Sequence, residues 1–289
     1  MGRYTRLAEI TRLDPEVDYE RIYRMDLQLE FPWDLTKALE FALFRTYAVP
    51  SIGRLLNETR EFEDRPQKRY DDTGIVLYEA GTKGLEEPGG RAAMRQLNRI
   101  HGRYDISNED YRYVLSTFVV MPGRWLDAYG WRPFHPVERR AATNSFRRIG
   151  ELMGIKDIPE TYAEFEELLD TYERDNFAFD PGSKKVAEAT LKLFGSWYPH
   201  PFKGLAAKAP LALLDEHLAR ALGLPVPPQA IKSAASLALK ARARALRLFP
   251  ARPDHRPYEL KARTYPHGWD ITRIGPEWSH HPTPTPDPS

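Results

Sequence analysis

The apolar positions of this chain recur every three to four residues far more often than every two. In LTKALEFALFRTYA, residues 35–48, Leu35, Leu39, Leu43 and Tyr47 fall four apart, the stripe of an amphipathic helix. A shorter helix is expected over 71–80, stopped by Gly81, and another over about 89–103. Ser107 with Asp110 opens a helix carrying Tyr113, Val114, Thr117, Phe118 and Met121 on one side. Pro136 opens VERRAATNSFRRIGELMG and Gly154 closes it, and Thr161 with Glu164 starts TYAEFEELLDTYERDNF. Helical spacing resumes over 184–198, 210–222 and 229–249, interrupted by the proline-rich YPHPF and LPVPP. Strand-like alternation is almost absent, so an all-α fold is expected.

These helices group into three parts: an N-terminal extension over 1–19, one helical domain over 20–250, and a proline-rich C-terminal arm over 251–289. The last reads as an extended segment packing on the domain and ending in a disordered tip. No internal repeat is evident.

Composition narrows the chemistry. The 42 lysines and arginines nearly cancel the 41 aspartates and glutamates, so no global field draws the chain to nucleic acid. The N-terminus lacks the apolar core of a signal peptide and no run approaches a membrane span, which reads as a cytoplasmic protein without a transmembrane segment. There is no cysteine, which removes disulfides, zinc knuckles, iron–sulfur clusters and thiolate ligation together. The motifs GxGxxG, GxSxG and HExxH are missing as well. Glu277 and His280, the one Glu-x-x-His pair, stand in the arm rather than inside a helix bundle, against a carboxylate-bridged di-iron site.

Two features remain. On the helix over 89–103, Ala93, Leu97 and His101 share the inward stripe, while Arg91, Arg95, Arg99 and Arg103 form a separate basic face. An inward histidine is either a core residue bonded to a backbone carbonyl or a ligand. Upstream, Arg69, Asp72 and Thr73 precede Val76, Leu77 and Ala80 at the same spacing, so a polar group opens a stripe that turns apolar. This is either an N-terminal cap or a cluster facing a buried pocket.

The pattern Arg69-x-x-Asp72-Thr73, followed by His101 in RxxxRQLNRIHGRY, resembles the MpaB-type and latex-clearing-protein (rubber oxygenase) haem oxygenases. NEDYRYVLSTFV, PVERRAATNSFRRIGELMGI and IPETYAEFEELLDTYE are similar to that family's later helices, so the resemblance covers roughly residues 20–270. It implies a globin-like multi-helix domain with a b-type haem between helices, His101 as the proximal iron ligand, and Arg69, Asp72 and Thr73 on the distal side. Where rubber-cleaving members carry a lysine this chain has Asp72, which puts rubber cleavage in doubt.

On that resemblance the expected activity is a haem b-dependent oxygenase using dioxygen on a small apolar organic substrate, with oxidative C=C cleavage as one outcome. Arg69 and the Thr73 hydroxyl would stabilise charge on the oxygens, and Asp72 would accept a substrate proton. The alternatives are a non-catalytic haem protein that senses a gas or small ligand, and a cofactor-free all-α interaction domain. Val114, Thr117, Phe118 and Met121 are candidates for the pocket wall, and Arg124, Arg132, Arg139, Arg140, Arg147 and Arg148 for the haem propionates. Lys240, Arg242, Arg244 and Arg247, interleaved with Leu239, Ala243, Leu246 and Phe249, form a basic amphipathic helix whose options are a solvated face, a partner or weak contact with a membrane surface.

Overall fold

The computed structural model describes residues 2–280; His281 and the expected disordered tip lie outside the described residues. Among these it contains fourteen α-helices and no strand, as the helical periodicity predicts. In order they are α1 (Thr5–Ile10), α2 (Tyr19–Met25), α3 (Pro32–Thr46), α4 (Pro50–Glu58), α5 (Glu61–Asp64), α6 (Pro66–Lys83) and α7 (Pro88–His101). There follow α8 (Asn108–Tyr129), α9 (Pro136–Leu152), α10 (Tyr162–Asn176), α11 (Pro181–Ser196), α12 (Lys203–Lys208), α13 (Glu216–Ala221) and α14 (Gln229–Leu246).

Local chemistry explains most boundaries. Ser107 accepts the Asp110 N–H at 3.0 Å to start α8, and Thr161 accepts the Glu164 N–H at 3.2 Å while Glu164 accepts the Thr161 N–H at 3.0 Å. Gly154 leaves the turn after α9 with φ +75°. Two boundaries differ from expectation. The span 210–222 is not one helix: Pro210 sits in a 3-10 turn, Ala209–Leu213, and Asp215 accepts the Leu218 N–H at 2.8 Å to begin α13 afresh. Helix α6 starts five residues before Asp71 and passes through Gly81, stopping at Gly84, whose φ is +80°. Gly84 is packed so closely that a Cβ on Gly90 would lie 2.0 Å from its carbonyl oxygen, so the α6–α7 turn needs glycine at position 90.

The chain divides into two compact units, one of residues 1–66 and 107–259, the other of residues 67–106 and 260 onward. In the first, α3 packs on α8, α2 on α9, and α11 on α4. Its core includes Phe44, Val186, Leu218 and Leu222, with a second group formed by Ile10, Ile22, Met25 and Ala141.

This unit also buries a charge network. Arg132 meets both oxygens of Glu138 at 2.6 Å and Glu30 at 2.8 Å, and Arg6 meets Glu30 at 3.0 Å. Asp26 lies beside them, fully buried, and its carboxyl is pushed well above the usual range by desolvation and then by Glu138. The Arg132 fork and the His135 N–H both donate to Glu138, whereas no such donor reaches the Asp26 carboxyl.

A raised folded-state pKa adds stability that is whole below the unfolded value near 3.8 and is lost as pH rises toward the folded one. Asp26→Asn, which keeps a donor toward Glu138, is therefore expected to stabilise the protein at neutral pH. The gain should vanish below about pH 4, a pattern that urea unfolding at several pH values will read.

Candidate functional site

All four residues singled out by the sequence, Arg69, Asp72, Thr73 and His101, belong to the second unit. It is built from α6, α7 and the segment from Leu260 to His280, which includes two 3-10 turns, Ile271–Arg273 and Glu277–Ser279. Ile75 and Val76 of α6 pack with Ala262 and Ile274 of the segment, joined by Leu97 of α7. Gln96, almost fully buried on α7, donates to the Ile274 carbonyl at 2.5 Å and to the Ser279 carbonyl at 3.3 Å. Gly275 follows with φ +97°, and a Cβ there would meet Ile100 Cδ1 at 2.5 Å, so the segment can lie this close to α7 only with glycine.

On α6, Arg69 and Thr73 stand one turn apart and are hydrogen-bonded, the guanidinium donating to the hydroxyl. The hydroxyl in turn donates to the Arg69 carbonyl at 3.1 Å. Thr73 thus orients the guanidinium. Asp72 is engaged elsewhere: Lys68 Nζ donates to Oδ2 at 2.6 Å and the Tyr265 hydroxyl to Oδ1 at 2.6 Å. Lys68 also donates to the Gly275 carbonyl at 2.8 Å. Asp71, the neighbouring acid, accepts the Thr264 N–H and hydroxyl at 2.7 and 2.6 Å. Neither aspartate caps α6, because the helix has already begun at Pro66; both fasten the C-terminal segment instead.

His101 is the last residue of α7, where Ala93 and Met94 face inward and Arg91, Arg95, Arg99 and Arg103 are exposed. A helix C-terminus favours a protonated imidazole by up to about 2 kcal/mol. Burial opposes this and wins: desolvation, followed by the positive charge of Arg69, lowers the His101 pKa to about 4. The imidazole is neutral at physiological pH, the form that ligates a metal. Among the described residues no three of His, Cys, Asp and Glu converge as a metal cage. The donor set here is a single imidazole, which suits a metal whose remaining ligands come with its own macrocycle.

The wall and propionate candidates sit in the first unit. Thr117 is fully buried with its hydroxyl donating to the Val114 carbonyl at 2.7 Å, and Phe118 stacks on Phe146 at 5.7 Å. Arg124, Arg132, Arg139, Arg140 and Arg148 are engaged by carboxylates. An open cleft of about 620 Å³ in this unit, lined by Leu191, Gly195, Ala207, Leu211 and Leu224 among others, includes none of the four site residues.

Lys68, Thr264, Tyr265 and Gln96 were not foreseen. Lys68 has a signal in hindsight, four residues before Asp72 on a helix. Thr264 and Tyr265 have none, standing 193 residues beyond their acids.

Among the described residues the protein is all-helical, with a neutral imidazole at the end of α7 and a guanidinium, oriented by Thr73, whose charge acts on it. Residues 38–248 match the family described as the ER-bound oxygenase mpaB/B′ and rubber oxygenase catalytic domain, and the chain belongs to that family. It is 28% identical over 221 residues to the ER-bound oxygenase mpaB of Penicillium roqueforti (strain FM164), covering 70% of this chain and 74% of that protein. Over 197 residues it is 28% identical to mpaB of Penicillium brevicompactum, 61% of this chain and 50% of the other. To mpaB′ of the same organism it is 26% identical over 246 residues, 78% and 58%. The chain thus spans about half the length of the two Penicillium brevicompactum relatives. Arg69, Asp72, Thr73 and His101 fall inside the matched span, whereas Thr264 and Tyr265 lie beyond it. No helix among the described residues is long and apolar enough to cross a membrane.

Proposed function

We propose that this chain is a haem b-dependent oxygenase that uses dioxygen on a small apolar organic substrate. Membership of an oxygenase family supports the reaction class, and the observation that carries the cofactor is the neutral imidazole of His101, a half-buried residue whose Nδ1 is enclosed. With no cysteine in the chain, that imidazole is the strongest candidate for an axial ligand. A haem held there would supply the redox-active iron at which dioxygen is activated.

The protein's own part follows from the second unit. Desolvation keeps a lone pair on His101 by keeping protons off it. Arg69, steadied by Thr73, presents a permanent positive charge that stabilises negative charge developing on oxygen. Asp72 can take a substrate proton only after Lys68 or Tyr265 releases one of its oxygens. On the family resemblance Asp72 falls where rubber-cleaving members carry a lysine, and the lysine present here, Lys68, is tied to Asp72 and Gly275; rubber is therefore not the proposed substrate. A cytoplasmic setting is part of this reading, although the relatives' names tie those proteins to the endoplasmic reticulum.

Reconstitution with haem tests the reading. The wild-type protein is expected to develop a Soret band with an imidazole-ligated spectrum, and His101→Ala to lose that spectrum and regain it with added imidazole. A wild-type protein without a Soret band, or one whose spectrum His101→Ala leaves unchanged, sinks the haem assignment. Normal turnover in Asp72→Ala removes that residue as proton acceptor.

A further inference from the structure

Helix α14 resolves the basic amphipathic pattern in an unexpected way. Its cationic residue Arg242 turns inward, donating to Asp34 at 2.9 Å and lying 3.7 Å over the Trp33 ring, and Ala243 beside it is buried. Arg247 donates to the Trp131 carbonyl at 2.7 Å. Beside its exposed cations, this region therefore also turns an apolar stripe to solvent. Ile231, Leu237, Leu248 and Phe249 are all exposed, Leu237 by 63% and Leu248 by 86%, with exposed alanines between them. Of the thirteen large apolar side chains exposed among the described residues, eight fall within 198–249. An exposed stripe of this kind marks an interaction site.

Charge says what covers it. Residues 217–253 contain seven lysines and arginines and no acid. Lys240 and Arg244 are exposed and border the apolar stripe. A second copy of this chain would set these cations against themselves, and nucleic acid offers nothing to leucine, isoleucine and phenylalanine. A bilayer with anionic headgroups supplies both an apolar interior for the stripe and negative charge for its border. We infer that α14 with Leu248 and Phe249 is a peripheral docking surface for anionic lipid. The helix lies in the plane of the interface, with the stripe inserted and Lys240 and Arg244 at headgroup level. This inference stands independently of the cofactor.

Flotation of the full-length protein with phosphatidylcholine vesicles, with and without phosphatidylserine, tests it. Binding is expected only with phosphatidylserine and should weaken as salt is raised. The pair Lys240→Gln with Arg244→Gln should weaken partitioning roughly 30-fold, at about fivefold per cation. Leu237→Ser with Leu248→Ser should weaken it at least roughly tenfold. These side chains are exposed, so an unchanged helical circular dichroism spectrum is expected of both pairs. Absence of binding to phosphatidylserine vesicles, equal binding to both compositions, or unaltered binding of either pair overturns the inference. Concentration-dependent self-association that the serine pair abolishes also overturns it, because a second copy then covers the stripe.

Discussion

Arg69→Ala is expected to slow turnover by roughly two to three orders of magnitude while leaving the His101-dependent spectrum of the reconstituted protein in place, the scale seen when one pre-organised donor to a developing oxyanion is removed. The guanidinium is oriented by the Thr73 hydroxyl, and its charge is felt at His101. Thr73→Val should cost less, because it removes the orienting acceptor and leaves the charge. Steady-state and spectral measurements on the same preparations separate the two effects. If Arg69 only supports folding of the second unit, the spectrum and the activity will fall together; if it acts on the reacting oxygens, kcat will fall alone. The electrostatic link to His101 gives a further readout, since removing a nearby positive charge raises the imidazole pKa in the metal-free protein.

Arg132→Ala is expected to destabilise the protein by about 3–5 kcal/mol, because it strands buried carboxylates. Glu138 would lose two 2.6 Å bonds and Glu30 one of 2.8 Å. Of these two acids Arg6 meets Glu30, so Glu138 would keep no guanidinium partner. The midpoint of urea unfolding should fall with little change in slope. The double variant Arg132→Ala with Glu138→Ala should recover part of the loss, since much of the cost lies in the unpaired charge rather than in the missing bond. A loss below about 1 kcal/mol would mean that water reaches Glu138.

The helices were legible because their causes are local. Ser107 with Asp110 and Thr161 with Glu164 lie within one turn of the N–H groups they satisfy, and the three-to-four-residue spacing around Leu35 and Ala93 reports a buried face without reference to a partner. Where local rules competed, the reading slipped. Gly81 looked like a helix stop, but a glycine inside a helix costs only about 1 kcal/mol. The close approach of Gly84 and Gly90 decided the matter instead. The fragment 210–222 carried helical spacing, yet Pro210 and Asp215 each favoured another local structure and broke it.

The site divides in the same way. Arg69, Thr73 and His101 could be named from spacing and from resemblance, because i, i+4 neighbours on one helix must face together. What Asp72 does could not be named. Its carboxylate lies between Lys68, one turn away, and Tyr265, which the chain brings back after nearly two hundred residues.

By itself, then, the sequence determined the helical class, the starts of several long helices such as α8, α9 and α10, and the family, all of which depend on short-range capping, periodicity and residue order. Only the tertiary structure decided that His101 is neutral, that both aspartates of α6 hold the C-terminal segment, and that α14 turns Arg242 inward while leaving Leu237 exposed. Desolvation and long-range pairing depend on which distant segments exclude water from a group, and no window of neighbouring residues carries that information.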